Sequence, residues 1–135
     1  SIVSNVPQGT GLMVMAGDSV EVTGNRFHDN QSFGVAVIGL DLFFGEDYVY
    51  DVDPIPDACW VHDNDYQNNG YEPAKIVVES GLDGADLLWD VTGYSNNWHE
   101  KNVSSIPPTL PDKNWSWIGR KTNYRIWRLL FNIFG

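Results

Sequence analysis

Two stretches of this chain repeat one another 39 positions apart: VEVTGNRFHDN at 20–30 and WVHDNDYQNN at 60–69. Their alignment brings together three pairs of residues, Asn25 with Asn64, Phe27 with Tyr66, and Asn30 with Asn69. Asparagine favours turns because its side chain hydrogen-bonds nearby backbone groups. The match therefore indicates one strand-and-turn unit that the chain uses twice.

A second pair of segments extends the repeat. GLMVMA at 11–16 is echoed by GVAVIG at 34–39, and a weaker copy, DLLWDVTGYSNNWHEKN, occupies 86–102. A period of about 20–25 residues with strand-forming sequence is typical of a β-solenoid or a leucine-rich repeat. The regularly spaced leucines of the second class are missing, so the sequence favours an all-β solenoid.

In a solenoid, equivalent residues of successive windings lie about 4.8 Å apart, the spacing of strands in a sheet. Their asparagines can then form a hydrogen-bonded ladder, and their aromatic rings can stack inside. The alternative is an antiparallel sandwich in which the asparagines mark unrelated turns. The predicted structural ladder consists of Asn25, Asn64 and Asn96, with the aromatic residues Phe27, Tyr66 and Trp98.

The composition fits one domain with an acidic body. Of the 135 residues, 42% are apolar, which is enough for a core. Residues 1–111 hold 17 acidic and three basic side chains, a net charge of −14, whereas residues 112–135 carry a net charge of +4. A body this acidic repels phosphate backbones, so nucleic acid is not expected as a partner.

Cysteine content and hydropathy give little information on location. Cys59 is the single cysteine, so an internal disulfide is impossible. Neither a signal peptide nor an uninterrupted apolar run of membrane-spanning length is visible. Because the chain begins with Ser1 rather than Met, we expect a processed product or part of a longer protein.

The repeated segments resemble the right-handed parallel β-helix repeat proteins of the pectin-lyase-like type. GTGLMVMAGDSVEVTGNRFHDNQSFGVAVIGL looks like two successive windings of such a protein. ADLLWDVTG and NNWHEKNVSSIPPTLP look like the end of a bacterial subfamily that is often extracytoplasmic, either periplasmic or secreted. The resemblance covers roughly residues 3–111 and implies the C-terminal portion of a β-helix. It implies no particular activity, because this fold carries many functions.

Two features depart from that family. Only about three windings are present, so further sequence or another chain is expected to cover the N-terminal edge. The segment after Pro111 is unlike the family. The predicted organisation is therefore a set of windings over 1–111, with an insertion at 41–58, followed by a basic aromatic tail over 112–135.

The insertion combines carboxylates with aromatic rings, and loops that leave a solenoid often form its binding face. Calcium is one possible ligand, since it takes several carboxylate and carbonyl oxygens. A glycan is another, since aromatic rings pack on sugar rings. A solvated acidic loop that packs on the solenoid is the alternative to both. The predicted ligand-binding residues are Asp41, Phe43, Phe44, Asp47, Tyr48, Tyr50, Asp51 and Asp53.

After the second repeat, residues 75–79 predict a strand, and the tail from Thr122 onward predicts a short helix. The tail mixes cations with bulky apolar residues. Such a mixture suits a membrane surface, a partner subunit, or a cap on the solenoid whose cations meet the acidic body. The predicted docking residues are Trp115, Trp117, Arg120, Lys121, Arg125, Trp127, Arg128 and Phe131.

Catalysis has weaker support. Two carboxylates about 5–10 Å apart can cleave a glycosidic bond, but so many acidic residues make some such pair inevitable. Enzymes that act on polyuronates need cations near the substrate, and the body offers only three basic side chains. His28 aligns with Gln67 and His62 with Thr23, so the histidines are not expected to stack into a cluster. Nucleophile-elbow, P-loop, dinucleotide and H-E-x-x-H motifs are absent.

These observations favour a non-catalytic, extracytoplasmic β-helix module for binding or assembly. Its expected partners are a protein subunit or a membrane surface through the tail, or a glycan. The alternative is the C-terminal part of a carbohydrate-active enzyme, either a polysaccharide hydrolase, a lyase or an epimerase.

Overall fold

The computed structural model describes residues 9–15, 17–39 and 55–134, with side chains as far as residue 130. Strands dominate these residues, and two helices follow the second and the last group of strands. The elements are β1 (Thr10–Met15), β2 (Glu21–Thr23), β3 (Arg26–His28), β4 (Phe33–Ile38), β5 (Trp60–His62), β6 (Asp65–Gln67), α1 (Lys75–Glu79), β7 (Ala85–Trp89), β8 (Asn97–His99), β9 (Ser105–Ile106) and α2 (Trp117–Phe134).

All strand pairs in the described residues are parallel. They form three sheets with the orders β1-β4-β7-β9, β2-β5-β8 and β3-β6. We call β1 to β3 the first repeat, β4 to β6 the second, and β7 with β8 the third, because each strand pairs with its counterpart in the next repeat. The antiparallel sandwich is therefore wrong, and an architecture of parallel sheets with a C-terminal helix is present.

The first two repeats pair in the register that their 39-residue spacing predicts. Val22 lies opposite Val61, and Phe27 lies opposite Tyr66. The left-handed backbone conformations that turn the chain between strands recur at the same spacing, at Ser19 and Ala58, at Gly24 and Asp63, and at Asp29 and Asn68. The local sequence thus fixes the turns as well as the strands.

The core lies between the three sheets. Val61 and Val37 are fully buried in it, and Trp89 and Trp98 fill its last part. β4 is buried along its whole length. Its outer face is covered because Val77 of α1 packs there in a second, smaller apolar cluster.

The prediction of a strand at Lys75–Glu79 is wrong, because this segment is α1. Ile76, Val77 and Val78 are β-branched in succession, which favours a strand when no tertiary contact intervenes. In the fold, Val77 is buried against β4 while Val78 is 58% exposed. The backbone bonds close locally, with Ser80 N donating to Ile76 O at 3.1 Å.

Helix α2 begins at Trp117, earlier than the start predicted at Thr122. Ser116 provides the start signal, because its Oγ accepts a hydrogen bond from Gly119 N at 3.1 Å. A serine in this position stabilises a helix N-terminus. The sequence analysis overlooked this cap.

Candidate functional site

A column of polar side chains connects the three repeats at the turn after the second sheet. Asn25 N donates to Asn64 Oδ1 at 2.9 Å, and Asn64 N donates to Glu100 Oε1 at 3.0 Å. Asn64 Nδ2 also donates to Val22 O at 2.9 Å. Burial raises the pKa of Glu100, although its hydrogen bonds from Asn64 act in the opposite direction. The column therefore supplies hydrogen-bond partners to backbone groups of the turns, which lie outside the strand pairs.

A second column runs through the turn after the third sheet. Asn30 Nδ2 donates to Asn69 Oδ1 at 2.9 Å, and Asn69 Nδ2 donates to Asp86 Oδ1 at 3.0 Å. Gly34 makes room for this column, since a Cβ there would lie 2.7 Å from Asp86 O and 3.3 Å from Asn69 Nδ2. Both columns therefore end on a carboxylate in or beside the third repeat.

The assignment of Asn96 and Trp98 to the ladder is wrong. Trp98 pairs with Val61, not with Tyr66, and its ring lies 5.0 Å from the Trp89 ring inside the core. Asn96 is buried one position before β8, where its Oδ1 accepts from Cys59 N at 2.9 Å. The Asn-x-Trp motif of the third repeat thus leads into the second sheet, whereas the Asn-x-aromatic motifs of the first two repeats lead into the third sheet.

Each histidine bonds a carboxylate on a neighbouring strand or segment. The three contacts are His28 Nε2 to Asp65 Oδ2 at 2.8 Å, His62 Nε2 to Glu21 Oε2 at 2.6 Å, and His99 Nδ1 to Asp112 Oδ2 at 2.9 Å. His62 and His99 are also register partners in the second sheet. The expectation that the histidines do not stack is therefore wrong for His62 and His99, because the third repeat was placed out of register.

His62 is held on both ring nitrogens. Its Nε2 contacts Glu21, and its Nδ1 lies 2.5 Å from Asp63 Oδ2. Burial lowers the pKa of His62, but the hydrogen bonds and charges of Asp63 and Glu21 outweigh burial and raise it above the usual value. Because both nitrogens face carboxylates, the ring is best satisfied as the imidazolium. It is therefore poorly placed to act as a free base.

The inner side of α2 closes the core. Tyr124 lies 5.7 Å from the Trp89 ring, and Trp127 Nε1 donates to Thr109 Oγ1 at 2.8 Å. Both α2 residues pack against the main core cluster. Trp127, predicted as a docking residue, therefore belongs to the face that packs on the core. Burial raises the pKa of Tyr124, while the Arg128 guanidinium acts to lower it.

Between α2 and the turn before β8 lies a cleft of about 440 Å³. Two cation–π contacts lie within it, with Lys121 Nζ 4.8 Å from the Trp117 ring and Arg128 Cζ 4.7 Å from the Tyr124 ring. This volume falls in the range of small-molecule sites, about 300–1,000 Å³. The lining residues are Tyr94, Ser95, Asn96, Asn97, Pro111, Trp117, Arg120, Lys121, Tyr124, Arg125 and Arg128.

Five of the predicted docking residues meet at this cleft, namely Trp117, Arg120, Lys121, Arg125 and Arg128. Trp115 does not line the cleft and is 41% exposed. Phe131 belongs to α2, but its side chain is not among those that the structure describes. Tyr94 was missed by the sequence analysis. Its only signal is an aromatic residue next to a turn glycine, which is too common to identify a site.

The predicted ligand-binding residues of the insertion, from Asp41 to Asp53, lie outside the described residues, as does any calcium site among them. The described end of the insertion touches the cleft, because Asp57 Oδ1 accepts a hydrogen bond from Tyr94 N at 2.8 Å. Among the described residues, no group of three or more His, Cys, Asp or Glu side chains is arranged to hold a metal ion. Comparison of the chain with protein-family models, curated proteins and solved structures finds no match.

Proposed function

We propose that this chain is part of a right-handed parallel β-helix of the pectin-lyase-like type and that it functions by binding rather than by catalysis. Three features support the β-helix. The repeats pair in parallel, the left-handed turns of the first two repeats recur at one spacing, and asparagine columns run from turn to turn. All three follow when identical windings stack on one another.

The observation that carries the binding role is the cleft beside α2. It gathers four cations and three aromatic rings at one end of an otherwise acidic molecule. Such a group of side chains favours an anionic partner with apolar parts, because aromatic rings supply contact area and cations supply charge. The stacked sheets beneath provide a rigid support for the cleft.

The insertion at 41–58 remains the proposed second recognition element, for a glycan or a partner subunit. The contact between Asp57 and Tyr94 supports this proposal, because it joins the end of the insertion to the cleft. An extracytoplasmic location, periplasmic or secreted, is proposed from the resemblance alone. No helix of the described residues has the length and apolar character needed to cross a membrane.

A carbohydrate-active enzyme is the second candidate, and the outer face of the second sheet is the observation that favours it. His62 and His99 lie there one above the other, with Glu21, Asp63 and Asp112 beside them. Acid–base catalysis uses such groups when one of them is free to exchange a proton with a substrate. Here the carboxylates bond the histidines, so we rank this candidate second.

The binding role is tested by replacing residues 41–54 with a Gly/Ser linker of the same length. We expect the wild-type protein to retain a glycan on an array or a protein partner in co-purification, and the linker variant to lose it without a change in thermal stability. Assays for polysaccharide cleavage should show no turnover. Turnover that disappears in Glu21→Gln or His62→Gln would favour the enzyme instead.

A further inference from the structure

Helix α2 presents three surfaces. The inner side packs on the core and on Thr109, where Asn123 Nδ2 donates to Oγ1 at 2.9 Å. The cationic side borders the cleft and consists of Arg120, Lys121, Arg125 and Arg128. The outer side is apolar and consists of Ile118, Ile126 and Leu129, which are between 49% and 69% exposed. Trp117, which is 65% exposed, lines the cleft beside the cations.

The cationic side has no carboxylate partner among the described residues. Elsewhere in those residues, Arg26 pairs with Asp65 at 4.0 Å and Lys75 with Glu79 at 3.6 Å. Within residues 9–15, 17–39 and 55–130, no such pair is found for any cation of α2, although the body of the protein is strongly acidic. The cap hypothesis expected these cations to meet the acidic body, and among the described residues the contact is made with an aromatic ring rather than a carboxylate, since Arg128 Cζ lies 5.8 Å from the Tyr94 ring. Their charge is therefore available to an external anion.

A small soluble anion would account for the cationic side of α2 but not for its exposed apolar side chains. Trp117, Ile118 and Leu129 are among the most exposed large apolar side chains described, and they stand beside the cations. Helices that lie in a membrane interface combine these features, with apolar residues and tryptophan at headgroup depth and Lys/Arg at the lipid phosphates. The acidic body would be repelled by an anionic surface, so only the α2 end could approach it.

We propose that α2 docks this chain on a membrane surface rich in anionic phospholipid. The outer side enters the interface between headgroups and acyl chains, and the cationic side takes the lipid phosphates, with the cleft receiving one headgroup. The inference rests on the proposed function only in treating α2 as a docking element. It does not depend on the glycan or subunit assigned to the insertion.

The test is co-sedimentation of the full chain with vesicles of phosphatidylcholine alone and of phosphatidylcholine mixed with phosphatidylserine. We expect binding to the mixed vesicles only. Binding should weaken from about 0.1 M to about 1 M salt, where the screening length falls from about 10 Å to about 3 Å. Each cation removed should lower the partition coefficient about fivefold, so Lys121→Gln with Arg125→Gln should lower it about 25-fold.

Further variants separate the contributions of apolar and cationic side chains to vesicle binding. Leu129→Ser with Ile118→Ser should also reduce vesicle binding, whereas Lys75→Gln, which removes an exposed lysine on α1, should leave it unchanged. All of these positions are exposed, so unaltered melting temperatures will show that the variants fold. Equal binding to neutral vesicles would overturn the proposal. So would absence of vesicle binding, whether or not soluble inositol phosphate, an acidic glycan or a second copy of the chain binds at the cleft; the role proposed for the insertion would survive that outcome.

Discussion

Asn64 makes hydrogen bonds to three different segments at once. It accepts from Asn25 N, donates from its own backbone N to Glu100, and donates from Nδ2 to Val22 O. Such a side chain replaces the strand pairing that turns lack, because an unpaired polar group out of water is costly. The sequence predicted this pair correctly since Asn25 and Asn64 occupy identical turns.

Removing Asn64 should therefore cost more than removing Asn25. We expect Asn64→Ala to lower the free energy of unfolding by about 1–3 kcal/mol, because backbone donors and acceptors lose their partners. Asn25→Ala should cost less than about 1 kcal/mol, since Asn25 is exposed and ends the column. Urea denaturation of both variants measures the difference. Equal losses would mean that the column does not stabilise the turns.

His62 should make stability depend on pH. Because its pKa is raised in the folded state, His62 stabilises the fold fully below its unfolded pKa of 6.5. This stabilisation is lost as the pH rises through the folded pKa. The pKa of Asp63 is lowered, by its hydrogen bond to His62 first, so its contribution is lost as the pH falls from 3.8 through the folded pKa. The stability difference between wild type and His62→Gln should therefore be largest between these limits.

Thermal unfolding of both proteins from about pH 4 to pH 9 measures this difference. Burial raises the pKa of Asp90 to about 6, but Asp90 titrates in both proteins and cancels. A difference that grows above neutral pH, or that does not change with pH, would contradict the bridge from His62 to Glu21 and Asp63.

Among the elements, the strands of the first two repeats were predictable, α2 was predicted only in part, and α1 was wrongly predicted as a strand. The sequence of α1 favours a strand, and only its burial against β4 selects the helix. The third repeat escaped alignment because its spacing to the second is 37 residues at Trp98, rather than 39. The cleft could not be predicted, because it forms between α2 and the Tyr94 turn, which are far apart in the chain.

The two sides of α2 should respond differently to mutation. Tyr124→Ala with Trp127→Ala should lower the free energy of unfolding by about 2–5 kcal/mol, because both rings cover the end of the core. Ile118→Ser with Leu129→Ser should change it by less than about 0.5 kcal/mol, since both residues are exposed. Chemical denaturation compares them. A larger loss from the exposed pair would reverse the assignment of the two sides.

In the whole molecule, acidic and basic residues are separated along the chain. Seventeen of the 18 acidic residues lie before residue 112, while five of the eight basic residues lie after it. The parallel repeats hold the acidic body together through backbone bonds, polar columns and histidine–carboxylate pairs. The basic helix then closes the core with its inner side and leaves its cations at one end. This separation is the basis of the anionic partner proposed for one end of the molecule.

The central claim is that the repeats stack in parallel and in register, and NMR couplings across hydrogen bonds test it most directly. The account predicts couplings from Trp60 N to the carbonyl of Val20, from Asp65 N to that of Asn25, and from Asn97 N to that of Cys59, over distances of 2.8, 2.8 and 2.9 Å. Antiparallel strands would instead give reciprocal couplings between facing residues. Reciprocal couplings between the segments 20–30 and 60–69, or none at all, would contradict the account.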